Sequence, residues 1–124
     1  MAGLTLDAGA LIAAERRDRA VFAHLDIARR QERVIPAVVI AQAWRGPRSA
    51  LVAMVVNACR VEPVDEFLAK AAGELLGRAG TSDAVDAIVV ASAARRGDVI
   101  LTSDVDDLRR LAAFAAGRVT VIGI

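Results

Sequence analysis

Leu4-Thr5-Leu6-Asp7-Ala8-Gly9-Ala10-Leu11-Ile12 is the stretch that decides how this chain folds. Three residues of strand character end in an aspartate, and small and apolar residues at helical spacing follow at once. A short strand that meets an acid and turns into a helix opens a parallel α/β sheet. In such sheets chemistry gathers at the C-terminal ends of the strands. The pattern returns near the far end of the chain as Val99-Ile100-Leu101-Thr102-Ser103-Asp104. Asp7 and Asp104 are therefore expected at one edge of one sheet.

Between these anchors the same alternation continues. Helical character runs from Ala8 to Glu15 and from Ala20 to Arg30, with Val21, Leu25 and Ala28 at helical spacing. Val34-Ile35 reads as a second strand, Ala37 to Trp44 and Ser49 to Ala58 as apolar helices, and Arg60-Val61-Glu62 as a third strand. A helix spans Asp65 to Arg78, and Thr81-Ser82-Asp83 caps another that runs to Arg96. Val99 to Leu101 is the fourth strand, Val105 to about Ala116 the last helix, and Val119 to Ile122 the last strand. Strands alternating with helices predict an α/β chain, a short-stranded parallel sheet between two helical layers. The strand order is not legible at this level.

Composition narrows the function. With 124 residues the chain is expected to be one domain, residues 1–124, and 56% apolar content excludes disorder. One cysteine, Cys59, excludes an internal disulfide framework and a four-ligand thiolate zinc site, so a cytoplasmic location is expected. No apolar run approaches the ~20 residues that cross a bilayer, and no basic segment of a signal peptide precedes Asp7. A net charge of +1 leaves no basic tail for non-specific nucleic-acid binding.

The aspartates are distributed unevenly. Asp83, Asp86, Asp98, Asp104, Asp106 and Asp107 crowd into the last third. An aspartate after a strand can simply cap the next helix, and one in a first helical turn can complement the helix dipole. Asp86, however, interrupts the apolar run Ala84-Val85-Asp86-Ala87-Ile88-Val89-Val90 on a face that continues through Val90 and Ala93, with Ser92, Arg95 and Arg96 expected on the wet side. Two unit charges about 5 Å apart repel by roughly 3 kcal/mol at an effective dielectric of 20. Converging carboxylates therefore require a cation or a raised pKa. All-oxygen ligands select a hard ion, Mg²⁺ or Mn²⁺, the common device of phosphodiester chemistry.

Leu4 to Ile12, Asp83-Ala84-Val85-Asp86-Ala87 and Leu101-Thr102-Ser103-Asp104-Val105-Asp106-Asp107-Leu108 together resemble the PIN-domain family, and within it the VapC toxins of toxin–antitoxin pairs. The resemblance spans essentially the whole chain and implies a PIN-like α/β/α fold. It implies a Mg²⁺- or Mn²⁺-dependent endoribonuclease, a VapB-type antitoxin partner and a homodimer. Carried over by position, Asp7, Asp86 and Asp104 match the family's catalytic and metal-holding acids, and Asp107 a further acid; Asp106 is expected to face solvent. The family's remaining acid, a glutamate, falls where this chain has Gln42, which brings no charge and cannot act as a base. Asp83, one turn from Asp86, is expected to restore the charge. Arg45, Arg48, Arg109 and Arg110 are candidate RNA-phosphate contacts. Without tyrosine and with few other aromatics, recognition is expected to rest on RNA shape rather than on stacking.

Leu51-Val52-Ala53-Met54-Val55-Val56 is apolar all round, which fits either core or an interface with a second copy or an antitoxin. Competing readings are a catalytically weakened RNA- or antitoxin-binding module, a phosphorelay receiver and a DNA-processing nuclease. The receiver wants a lysine near its last strand, and Lys70 lies mid-helix. The DNA nuclease wants an added helical arch, for which 124 residues leave no room.

Overall fold

In the computed structural model, which describes residues 2–124, five short strands form one parallel sheet. They are β1 (Leu4–Leu6), β2 (Arg33–Pro36), β3 (Arg60–Glu62), β4 (Val99–Thr102) and β5 (Thr120–Gly123), in the spatial order β3-β2-β1-β4-β5. The first three strands step outward in one direction and the last two in the other. The reversal therefore falls between β1 and β4, where the crevice of an open α/β sheet opens. Asp7 follows β1 and Asp104 follows β4, so the topology brings these two acids to that crevice.

Among the described residues seven helices cover the sheet: α1 (Ala8–Glu15), α2 (Arg19–Ile27), α3 (Ala37–Ala43), α4 (Ala50–Asn57), α5 (Glu66–Ala79), α6 (Ala84–Arg96) and α7 (Val105–Ala112). One group packs α1 against α2, α3 and α4; the other packs α6 against α5 and α7. The result is an α/β/α sandwich. Leu6, Leu11, Ile35, Ile100, Leu101 and Leu108 are fully sealed between the layers. Because both faces of the sheet are covered, the strands read as apolar runs rather than alternations. No helix among the described residues is long and apolar enough to cross a membrane.

Two helices end earlier than their periodicity predicts. α2 stops at Ile27 rather than Arg30, and α7 at Ala112 rather than Ala116. Both run out in tighter three-residue turns, Gln31 N–H to Ala28 O and Ala115 N–H to Ala112 O. After α7 the chain must pass close to α6: a Cβ on Gly117 would collide with the carbonyl of Ala94, so only glycine fits there.

The wet side expected for α6 is also corrected. Ser92 is fully buried and donates to Glu62 Oε1 (2.7 Å), and Arg96 is largely covered. Arg96 pairs with Glu62 at 2.5 Å and with Asp98 at 2.8 Å, while Thr5 donates to Asp98 at 2.8 Å. Arg95, at the rim, reaches Glu62 at 2.9 Å. These polar residues face inward because the buried carboxylates of Glu62 and Asp98 need partners there.

Candidate functional site

Asp7 closes β1 and caps α1, its Oδ1 accepting from the Ala10 N–H at 3.0 Å. Its Oδ2 accepts from the Thr102 hydroxyl (2.5 Å), and the same hydroxyl accepts from the Asp104 N–H at 2.8 Å. Thr102 thus ties the acid after β1 to the backbone of the acid after β4. Asp104 occupies the cap position of α7, with no side-chain capping bond of full hydrogen-bond geometry, and its carboxylate lies beside Asp107.

Helix α6 approaches from above. Asp83 caps it, its Oδ1 accepting from the Asp86 N–H at 3.0 Å, and Asp86 follows in the first turn. The carboxylates of Asp86, Asp104 and Asp107 each place an oxygen within 4.8 Å of the others. A cleft of about 240 Å³ beside them is lined by Asp7, Asp83, Asp86 and Asp104, and by Gln42 on α3, with no basic side chain. A second cavity shares Asp83 and Asp86 and adds Asp107 and Arg110.

The electrostatics follow from this crowding. Burial raises Asp86, and the charges of Asp83, Asp104 and Asp7 add to it, reaching about 7. Burial also raises Asp7, against the lowering pull of Thr102, Ala10 and Gly9, with Asp104 adding repulsion. Asp104 is raised by desolvation and then by the neighbouring charge of Asp107. Protonating a group or bringing in a cation relieves the strain. The all-carboxylate donor set suits a hard ion such as Mg²⁺, and the three carboxylates, each with an oxygen within 4.8 Å of the others, would have to draw closer to share it.

The expected site residues divide into those the fold gathers and those it leaves aside. Asp7, Asp86, Asp104, Asp83 and Gln42 line one cleft. Asp107, expected in support, stands among the closest three, whereas Asp7 stands beside them with both oxygens engaged. Asp106 is exposed, as expected. Of the four arginines, Arg110 lines the adjoining cavity, 3.9 Å from Asp107. Arg45 folds back onto the carbonyls of Ala41 and Trp44, Arg109 reaches the Val121 carbonyl, and Arg48 is exposed. Asp98, counted by sequence with the acidic crowd, belongs to the buried ion pairs under Arg96 instead.

Thr102 was given no role by the sequence. The signal was present: a hydroxyl residue ends the apolar strand Val99-Ile100-Leu101 directly beside the acid.

The sequence profile of the PIN domain matches residues 4–113. The chain belongs to the PIN domain family. Solved structures carry the same fold at low sequence identity. The VapBC2 complex of Rickettsia felis bound to a promoter DNA fragment aligns with a TM-score of 0.75 at 11% identity, over 98% of each chain. DNA-bound VapBC from Salmonella typhimurium gives 0.74 at 18%, over 99% of this chain and 98% of that one. PAE2754 of Pyrobaculum aerophilum gives 0.63 at 21%, over 98% and 90%. No curated protein sequence matches the chain. Gln42, where the resemblance leads one to expect a glutamate, is exposed at the cleft wall.

Proposed function

We propose that this PIN domain is a metal-dependent endoribonuclease of the VapC type, the toxin half of a toxin–antitoxin pair. One observation carries the reading: the Asp86, Asp104 and Asp107 carboxylates crowd within 4.8 Å, beside a cleft whose own lining is acidic and holds no basic side chain. Asp86 and Asp104, with Asp107 or Asp7 completing the set, hold Mg²⁺ or Mn²⁺. The ion, when bound, polarises the scissile phosphate and lowers the pKa of an attacking water. Asp7, locked by Thr102 and the Ala10 amide, provides a fixed negative charge at the base of the cleft. Asp83 spends one oxygen on the Asp86 amide and keeps the other to orient water or accept its proton. Arg110 contributes a cation toward a flanking phosphate.

Partner binding is assigned to the face of α3 and α4. Val52 and Val55 turn into the core, but Trp44 and Met54 remain 42% and 50% exposed beside a groove lined by Ile40, Ala53 and Val56. Exposed apolar clusters of this kind mark interfaces. The VapBC complexes formed by structural relatives support an antitoxin as occupant.

Purified protein incubated with total cellular RNA tests the activity. Cleavage that needs Mg²⁺ and disappears in Asp104→Asn is expected; metal-independent cleavage, or none, would refute the nuclease. Gln42 at the cleft favours one second reading, a catalytically weakened RNA- or antitoxin-binding module, which binds RNA without metal-dependent cleavage.

A further inference from the structure

The acidic cleft does not end at Asp104. Gly9 and Ser103, which line it, also line a neighbouring cavity of about 230 Å³ at the turn between α1 and α2. We propose that this cavity is a nucleobase subsite that receives one unstacked base next to the scissile phosphate and prefers guanine. The inference rests on the RNA-cleaving reading of the cleft and adds a base specificity to it.

Size comes first. Pockets for drug-sized ligands run from about 300 Å³ upward, so this smaller cavity suits a single flat heterocycle. Ile12 and Ala13 on α1, with Ile124 beyond β5, supply apolar wall and pack against the core. Two polar groups stand among them, Arg16 and Asp18. Arg16 has no ion-pair partner among the described residues, and its planar guanidinium can stack on a base face. That offsets the scarcity of aromatic side chains, which otherwise serve as stacking platforms.

Asp18 supplies the selectivity. One of its oxygens accepts from the Ala20 N–H at 2.8 Å, capping α2 and fixing the carboxylate. An ionised carboxylate only accepts. Guanine presents two adjacent donors on its Watson–Crick edge, N1–H and the N2 amino group, whereas adenine, cytosine and uracil present one donor position each. Between Arg16 and Asp18, Arg17 sits at φ 63°, a left-handed conformation that a side chain tolerates at a cost.

The passage between the cavities is also built. A Cβ on Gly9 would fall on the Ser103 hydroxyl and within 2.9 Å of its backbone nitrogen. With glycine there, Ser103 keeps its place on the lip, where its hydroxyl can bond to the ribose or phosphate linking the two sites.

The test measures binding separately from cleavage. Asp104→Asn protein in Mg²⁺ is titrated with RNA hexamers that carry guanine, adenine, cytosine or uracil at one position, read by fluorescence anisotropy. Guanine at one register is expected to bind roughly tenfold tighter than the other bases. Adding Asp18→Asn, which retains the cap acceptor, should shrink that preference to about twofold or less. Adding Arg16→Ala should weaken all four hexamers. No binding, equal affinity for all four, or a guanine preference unmoved by Asp18→Asn would overturn the subsite. Wild-type cleavage separates the two readings. A retained preference without any cleavage refutes only the nuclease; cleavage at indifferent sequences, with flat hexamer affinities, refutes only the subsite.

Discussion

Helix α6 carries carboxylate chemistry at both ends, and the two ends are treated oppositely. At its C-terminal end, Glu62 and Asp98 are almost fully buried yet compensated, by Arg96, Arg95, Ser92 and Thr5. Burial pushes Glu62 up, but the bonds from Arg95 and Ser92 and the charges of both arginines outweigh it, and its carboxyl ends below the ordinary range. At the N-terminal end, Asp86 is only half-buried but faces Asp83, Asp104 and Asp7 with no basic residue in the cleft, and it is pushed up to about 7. Deep burial with partners is architecture, whereas the crowded, poorly compensated end is where the proposed metal would sit.

The largest effect is expected from breaking the compensated end. Arg96→Met strips Asp98 of its one ion-pair partner among the described residues and leaves the charge buried. A loss of about 3–5 kcal/mol in urea unfolding is expected. Arg96→Met combined with Asp98→Asn should recover a large part of it, because the orphaned charge goes too. The uncompensated end should respond the other way. Asp86→Asn removes repulsion and is expected to raise metal-free stability by about 1 kcal/mol, while metal-dependent RNA cleavage falls by about a hundredfold or more. If Asp86→Asn destabilises the metal-free protein as Arg96→Met does, the contrast between the ends is lost.

pH resolves the same contrast without mutation. Asp86 holds its proton more tightly folded than unfolded, so its ionisation opposes the fold: stability falls as pH rises from about 4 through 7. After screening by solvent the loss is about 2 kcal/mol. Glu62 runs opposite. Its lowered pKa contributes stability above the ordinary carboxyl range, and that contribution disappears as pH falls through the folded value. Metal-free protein should therefore melt highest near pH 4–5. Mg²⁺ should raise the melting temperature at pH 8 and do little at pH 5, where protons hold the carboxylates. A Mg²⁺ effect equal at both pH values would place the ion away from Asp86.

The sequence was most informative where one short signal sufficed. Strand, acid and helix at Leu4 to Ile12 and at Val99 to Asp104 located the sheet edge, because local periodicity and a polar stop are both written in consecutive residues. The strand order β3-β2-β1-β4-β5 was not, since it depends on which apolar edges pair at long range. The same limit explains Asp98. It sits as close in sequence to Asp104 as several of the gathered acids, but β4 carries it to the opposite end of the strand. Ser92 and Arg96 look like a wet face until the buried Glu62 on a distant strand is known. Thr102 was visible as an odd hydroxyl in an apolar strand, but its bridge between Asp7 and Asp104 needs the β1–β4 pairing. Thr102→Val, which preserves shape and deletes that bridge, should cost about 1–2 kcal/mol. It should also weaken Mg²⁺ binding by calorimetry, unless the two acids hold their places unaided.

The smallest expected effect concerns Gln42, where the family resemblance leads one to expect a glutamate. Gln42 and Asp83 line the same cleft from α3 and from the cap of α6, so a charge absent from one wall is present on another. If Asp83 supplies that charge, the two positions are coupled. Asp83→Asn should lower metal-dependent cleavage by about tenfold. Its cost in stability should be slight, because asparagine caps a helix about as well as aspartate. Gln42→Glu alone adds a fifth carboxylate to an already crowded cleft and should raise cleavage little, while lowering metal-free stability. In Asp83→Asn protein, however, Gln42→Glu returns the charge from the other wall and should restore most of the lost rate. The interaction between the two substitutions, rather than either alone, carries the information. Equal, additive effects would mean that each side chain acts by itself and that the glutamine has simply weakened the site.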